Sequence, residues 1–337
     1  MIARAKLNRN HAIDVLKGVA ILFIIITHFQ WSELERLKMG FPFWIDMAVT
    51  TFMVISGFLY ARSFESKGID TFEKAYKPKL IVEKMLRFTI PFAIAFLVEA
   101  VYIITMVPNT HNMVLVFLQG GIGAGSYYYP IMMQFIFLFP IIFFVIRKYL
   151  FKGLLICLGM NAVYEVLHWA YGMNEQCYRL IALRYIFVIA FGVFLHFKNC
   201  CEEETKIHYK KFLAAIFVLG TLFIGLTCYT SYQPKIIIHW TRVSFMGSMY
   251  FLPIMDWLID NCRIKCKPLE LLGQGSFNIF LTQMIFYWLG APLIYSCVSN
   301  RMLQLMICSI ICIVIGMLFY FIEQPITKWV VKQIKNL

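Results

Sequence analysis

The sequence predicts an all-α integral membrane protein with about ten transmembrane helices in one bundle, forming a single domain over residues 1–337. Three observations support this prediction. Of its 337 residues, 61% are hydrophobic and only 15% are charged, whereas soluble proteins average about 25% charged residues. Apolar windows of about 20 residues, enough for a helix to cross a bilayer, recur along the chain. Basic residues are concentrated in alternate polar segments, which indicates a fixed orientation. A soluble enzyme is therefore excluded.

Ten windows have the length and hydropathy of a membrane-crossing helix. They are residues 13–31, 44–62, 87–107, 126–147, 153–171, 179–197, 211–230, 236–258, 274–297 and 302–323. The first contains Asp14 and Lys17 and has no small-residue cleavage site at its end, so we interpret it as a retained span rather than a signal peptide. Ten spans place both termini on the same side of the membrane.

The basic residues orient the predicted bundle. With the N-terminus in the cytoplasm, 23 of the 31 Lys and Arg residues lie in cytoplasmic segments and four lie on the opposite side. The positive-inside rule predicts such a bias, so we expect cytoplasmic N- and C-termini in a multi-pass protein of the cell membrane, surrounded by membrane lipid. The net charge of +13 then reflects topology, and we expect no nucleic-acid partner.

The ten cysteines are scattered along the chain. Cys262 and Cys266 lie close together, but no second pair of ligands accompanies them at the spacing of a zinc site. We therefore expect neither a metal site nor disulfides.

Charged side chains inside a bilayer are costly and usually face a cavity or a partner. The predicted spans contain seven of them: Asp14, Lys17, Glu99, Glu165, Arg179, Arg184 and Arg242. Several have a structural explanation as well, because Lys17 can extend to the interface and Glu99 can be protonated or paired within the bundle.

The first span places three ionisable residues on one helical face. Lys17 and His28 are 11 residues apart, which is close to three turns and a rise of about 16 Å, or half the hydrocarbon thickness. Asp14 lies one turn before Lys17 and can pair with it. For His28, a hydrogen-bonded packing role and a functional role are about evenly supported.

Six short motifs follow one another along the spans. They are Asp14-Val-Leu-Lys17-Gly18 with His28-Phe29, then Phe52-Met-Val-Ile-Ser56-Gly57-Phe58-Leu59, Lys84-Met-Leu-Arg87 ahead of Pro91, Gln134-Phe135 followed by Pro140, Leu272-Gly273-Gln-Gly-Ser276-Phe277, and Glu323-Gln-Pro325. In type and order they resemble the motifs of the acyltransferase 3 family of integral-membrane acyltransferases. The sequence departs from that pattern where Lys17 replaces the commoner Arg, Met133 a common Glu, and Gln283 a frequent His.

The resemblance implies an O-acyltransferase that moves an acyl group, usually acetyl, from cytoplasmic acyl-CoA to a hydroxyl of a glycan or lipid-linked sugar on the other face. Acetyl-CoA would be the donor substrate, and its phosphates suit basic side chains. We therefore expect Lys17, Lys84 and Arg87 to bind the donor. The neighbouring basic residues Lys74, Lys77 and Lys79 are explained as well by the positive-inside rule.

His28 and Asp14 are the expected catalytic residues. A neutral imidazole can take a proton from the acceptor hydroxyl, or it can be acylated itself as a relay, and both roles stay open. Other polar residues towards the opposite face would line an acceptor pocket or orient His28; they are Asp46, Glu165, His168, His239 and Arg242.

Two other functional classes stay open. A secondary transporter of an anionic or sugar solute also uses intramembrane charges, although no internal repeat is visible in the sequence. A catalytically inactive scaffold would fit the missing polar groups at Met133 and Gln283. For the acyltransferase we expect a cavity that opens from the cytoplasm at Lys17, Lys84 and Arg87 and ends near His28.

Overall fold

A computed structural model of the chain describes residues 11–106, 112–123, 125–230 and 245–336. Within these ranges the regular structure is helical, without strands. Eight segments there are long and apolar enough to cross a membrane, and one bent helix pair makes a ninth. The all-α multi-pass prediction is confirmed, and the number of spans is close to the ten predicted.

The helices of the spanning segments are labelled in chain order. They are α1 His11–His28, α2 Ala48–Ser66, α3 Pro78–Met106, α4 Tyr128–Tyr149, α5 Phe151–Ala170, α6 Ile186–Phe197, α7 Glu203–Tyr229, α8 Ser276–Leu289 and α9 Arg301–Asn336. Shorter α-helices lie between them at Glu33–Lys38, Phe72–Ala75, Met113–Leu118, Glu175–Leu180, Phe245–Ser248, Phe251–Asn261, Lys267–Gln274 and Ala291–Cys297.

Two of the predicted windows have a different form in the structure. Residues 236–244 lie outside the described residues. The rest of the window 236–258 contains the short helix Phe245–Ser248 and most of Phe251–Asn261, whose 11 residues are too few to cross a bilayer. The window 274–297 is split into α8 and Ala291–Cys297, and the chain bends by 50° between these two helices. Pro292 explains the break, because it cannot donate the backbone hydrogen bond that would continue α8.

Helix α6 forms the centre of the bundle. Eleven of its 12 residues are buried, as expected for a helix that is apolar all round. It packs against α2, α4 and α5. Small residues bring α2 and α6 into backbone contact, since Gly57 lies against the backbone of Ile189 and Gly192 against that of Val54.

The outward faces of the spanning helices are apolar. Large hydrophobic side chains are more than half exposed on α3, α7 and α9, among them Leu97, Val101, Leu222, Ile310 and Leu318. A water-soluble protein rarely leaves so much apolar surface uncovered, whereas lipid tails cover it without cost. This surface agrees with a multi-pass membrane protein.

Ion pairs gather several of the segments predicted to be cytoplasmic at one end of the bundle. They are His11–Glu270 at 2.6 Å, Lys335–Glu83 at 2.9 Å and Lys198–Asp256 at 2.6 Å. The first joins the start of α1 to Lys267–Gln274, the second joins the start of α3 to the last turns of α9, and the third joins Lys198, just after α6, to Phe251–Asn261. We call the end of the bundle that carries these segments the basic end. At the opposite end, Arg301 pairs with Glu35 at 2.5 Å.

Helix α1 packs backbone to backbone against Lys267–Gln274. A Cβ atom added at Gly273 would lie 1.9 Å from the carbonyl oxygen of Asp14, and one added at Gly18 would lie 2.2 Å from that of Leu269. Backbone atoms cannot rotate out of the way as a side chain can. The two glycines therefore set how deeply α1, with Asp14 and Lys17, sits in the bundle.

We predict that Gly273→Ala lowers the thermal stability of the purified protein, because the added methyl group forces two backbones apart at a cost of about 1–3 kcal/mol. Thermal unfolding in detergent measures this effect. Gly159→Ala is the matched control, since a Cβ there meets nothing within 4 Å. An equal unfolding midpoint for the two variants would show that this contact does not constrain α1.

Candidate active site

His28 is the last residue of α1 and contacts α8 through Gln283. The amide Nε2 of Gln283 lies 3.0 Å from His28 Nδ1, and the Gln283 side chain is fully buried. An amide presents either its NH2 group or its oxygen, so Gln283 can match either neutral tautomer of the imidazole. The tautomer with hydrogen on Nδ1 leaves the lone pair of Nε2 to accept a proton. Thus position 283, where the family often has His, contacts His28 through a polar group.

Asp46 lies beside His28 without contacting its ring. Its Oδ1 is 2.6 Å from Arg36 Nη2 and accepts a hydrogen bond from Thr27 at 3.0 Å. Arg36 also donates to the Thr27 carbonyl oxygen at 3.1 Å. The ion pair therefore holds the end of α1 in place at Thr27, the residue before His28.

Lys17 lines a cavity of about 210 Å³ inside the bundle, which we call the Lys17 cavity. The Lys17 ammonium is 3.9 Å from Asp14 Oδ1, so the two residues pair as the sequence predicts. The lining includes Ile24, one turn before His28, but not His28 itself. The cavity thus follows α1 from Lys17 towards His28 and ends one turn short of it.

The remaining wall of the Lys17 cavity is mostly aromatic, with a few polar groups. The polar side chains besides Lys17 are Ser56, Tyr60, Tyr127, Tyr128, Gln274 and Ser276. Sequence analysis did not single out these residues. Ser56 and Ser276 carry a recognisable signal, because each is a polar residue within a family-like motif.

Lys84 and Arg87 do not line this cavity. The Lys84 ammonium lies over the rings of Tyr60 and Phe64 at 4.2 and 4.3 Å, and the ring of Phe139 is 5.4 Å away. Stacking on aromatic faces stabilises its charge without a carboxylate. Tyr60 in turn lines the Lys17 cavity. Arg87 is half exposed and pairs with Glu83 at 2.8 Å. Lys84 is therefore one side chain away from the cavity, and Arg87 lies at the surface.

The predicted pair Glu165 and His168 contacts a buried tyrosine. Tyr178 donates to Glu165 Oε1 at 2.9 Å, and its ring centre lies 4.5 Å from that of His168. Arg184 stacks on the same tyrosine, 4.9 Å from its ring centre. This cluster lies between α5 and the Glu175–Leu180 segment, so it is separate from His28. His239 and Arg242 lie outside the described residues.

Glu99 holds a glycine-rich loop. Its Oε1 accepts a hydrogen bond of 2.6 Å from the backbone N–H of Ile122. Gly120 and Gly121 adopt φ angles of 87° and 99°, which favour glycine, and a Cβ at Gly121 would lie 2.4 Å from Glu99 Oε2. The intramembrane carboxylate is therefore used to shape the backbone between α3 and α4.

Two of the family-like motifs tie helices together. Gln134 donates to the carbonyl oxygen of Leu180 at 2.6 Å and accepts from the N–H of Ala182 at 3.0 Å. Asn278 donates to Glu323 at 2.9 Å, which joins α8 to α9. These polar contacts position the backbone around the cavity and do not point into it.

The model of the acyltransferase 3 family, described as an acyltransferase domain, matches residues 10–321. Together with the spanning helices, this match identifies the general class of the protein as a membrane acyltransferase. The chain belongs to the acyltransferase 3 family, as its motifs indicate. No curated protein and no solved structure matches the chain. Membership of this family favours an acyltransferase over a secondary transporter.

We predict that Glu99→Leu frees the loop backbone, because the N–H of Ile122 loses a charge-assisted acceptor. Amide hydrogen exchange of the peptide that contains Ile122 should accelerate on the order of tenfold or more. Glu99→Gln is the graded control, because its amide oxygen still accepts one hydrogen bond. Unchanged exchange in Glu99→Leu would show that other contacts hold the loop.

Proposed function

We propose that the protein is an O-acyltransferase that moves an acyl group, in the first instance acetyl, from acyl-CoA at the basic end to a hydroxyl of a glycan or lipid-linked sugar at the opposite end. The observation that carries this proposal is the Lys17 cavity, which follows α1 towards His28. The positive-inside rule supports a cytoplasmic position for the basic end.

The donor would bind from the basic end. Its phosphates would meet exposed basic side chains there, among them Arg87, while Lys17 and Lys84 add positive charge beside the aromatic cavity. The pantetheine arm would enter the cavity, where Ser56 and Ser276 offer hydrogen bonds to its amides. Since the lining stops at Ile24, the thioester end of the pantetheine arm would extend one further turn, about 6 Å, to bring the acyl group to His28.

His28 would then act on the acceptor. As a general base, it takes the proton of the acceptor hydroxyl while that oxygen attacks the thioester carbonyl carbon. The C–S bond breaks, and the CoA sulfur leaves and takes up a proton. As a relay, the imidazole itself first carries the acyl group. Asp14 supports the chemistry by pairing with Lys17 rather than by touching His28.

The function as a whole is tested by acyl transfer in isolated membranes. Membranes that contain the protein should move labelled acetyl from acetyl-CoA to the native exported glycan or to a lipid-linked sugar, and membranes with His28→Ala should not. Absence of transfer with a range of acyl donors would reject the proposal. Solute uptake without transfer would instead support a transporter.

The two ends of α1 should respond differently to substitution. Lys17→Ala is expected to weaken acyl-CoA binding and raise its KM, with Lys17→Arg largely tolerated, because Lys17 supplies charge for phosphate or pantetheine. His28→Ala should keep CoA affinity and lower kcat by about 10²–10⁴-fold. CoA affinity and transfer rate in nanodiscs, after a check of folding, measure both. If His28→Ala loses CoA affinity but keeps its normal turnover at saturating acyl-CoA, these roles are contradicted.

Gln283 should act as a positioning residue for His28. Removing its amide in Gln283→Leu leaves the imidazole unrestrained, so kcat should fall by about 10- to 100-fold while the KM for acyl-CoA stays the same. Gln283→His should restore most of the rate, because an imidazole can also hydrogen bond to His28. Equal rates for the Leu and His variants would indicate that this contact serves packing alone.

A further inference from the structure

A second cavity, of about 550 Å³, lies between the segment that leads into α4 and the helix Glu175–Leu180. We call it the Arg179 cavity. One wall is the loop that Glu99 holds, with Val116 and Gln119 before it and Tyr127 after it, and the other wall is that helix. Its volume falls in the range of about 300–1,000 Å³ typical of small-molecule sites. The function described so far does not use it.

The lining of the Arg179 cavity combines polar groups with no net formal charge. Its ionisable residues of opposite sign are Arg179 and Glu175, and the amides of Gln119 and Gln176 lie beside them. The two amides hydrogen bond to each other at 3.1 Å. Amide groups donate and accept, so they suit the hydroxyl groups of a sugar. An acidic ligand would meet the carboxylate of Glu175 as well as the guanidinium of Arg179, so the lining does not favour a charged sugar.

Tyr127 forms a wall shared by the two cavities. It is part of the lining of both the Lys17 cavity and the Arg179 cavity. The guanidinium of Arg179 lies 5.0 Å from its ring centre, and that of Arg184 lies 5.5 Å away. These contacts hold the ring in place. An aromatic face of this kind packs well against the apolar face of a sugar ring.

The loop also connects the Arg179 cavity to His28. A Cβ added at Gly123 would lie 2.8 Å from Met284 Cε, so this part of the lining rests on Met284. The Gln283 amide, which holds His28, is 3.4 Å from the sulfur of Met284. The cavity is therefore separated from His28 by Met284 and Gln283.

We propose that the Arg179 cavity binds an uncharged pyranose, the acceptor sugar, against Tyr127, which also lines the donor cavity. The identification of this sugar as the acceptor rests on the proposed acyltransferase function. The binding of a neutral sugar stands on the lining alone.

Protection from thiol labelling tests the site without any acyl donor. Ser126→Cys places a thiol in the lining and keeps both amides, and its maleimide labelling in the full chain in nanodiscs is measured by mass spectrometry. The probes are the methyl glycosides of glucose, galactose and mannose, methyl glucuronide, and sorbitol as a ringless control. At least one neutral glycoside should slow labelling several-fold, and glucuronide and sorbitol should have little effect. The native exposed Cys297 is the internal reference.

A second pair of variants tests the role of Tyr127. Tyr127→Ala in the Ser126→Cys background should abolish protection, and Tyr127→Phe should keep it, because the ring face remains. Failure of every neutral glycoside to protect, or protection by glucuronide alone, overturns the proposal. Protection that persists in Tyr127→Ala also overturns it.

Failure of this proposal and failure of the proposed function can be told apart. If the protein transfers acetyl but no sugar protects the thiol, the acceptor lies elsewhere and the acyltransferase function stands. If a neutral sugar protects the thiol but no acyl transfer occurs in membranes, the sugar site stands and the proposed function fails.

Discussion

The backbone contact between α1 and the helix Lys267–Gln274 is the constraint on which the candidate site depends. Asp14, Lys17 and His28 all lie on α1, and charged groups cannot face lipid without a large cost. Gly18 and Gly273 allow the approach that encloses this helix. Since α2 and α8 also pack on α1, its polar stripe faces the interior. The Lys17 cavity is the space that this packing leaves.

The family-like motifs divide into two roles in this structure. Gly57, Gly273 and Gln134 act on the backbone, because they allow or hold close approach of neighbouring helices. Ser56 and Ser276, each close to one of these glycines in sequence, line the Lys17 cavity. A single motif thus places a helix and presents a polar group to the cavity. The departure at Gln283 keeps a polar contact to His28, whereas Met133 packs against the cluster around Phe92 and offers a sulfur acceptor to Thr89.

Hydropathy and periodicity predict the helices well, because a helix exposed to lipid requires a local run of apolar residues. Nine of the ten apolar windows overlap a spanning segment when the bent pair is counted. The window 236–258 is the exception, since its described part is divided between two short helices. Asp256 in the second of them pairs with Lys198, which is distant in sequence. The pairing of Asp14 with Lys17 is predictable too, because three residues separate them on one helix. The contacts of His28 with Gln283 and of Glu99 with Ile122 join separate elements, and no local pattern in one sequence reveals them. The position of Tyr127 in the lining of both cavities likewise depends on contacts between separate elements.

The central claim is that the acyl donor binds along α1 from the basic end, with its acyl group directed towards His28. A structure of the protein in nanodiscs with a non-hydrolysable acetyl-CoA analogue tests it most directly. The account predicts the nucleotide at the basic end near Arg87, the pantetheine arm in the Lys17 cavity, and the acetyl group pointing past Ile24 to His28. An analogue bound at the opposite end, or bound with the Lys17 cavity empty, would contradict it.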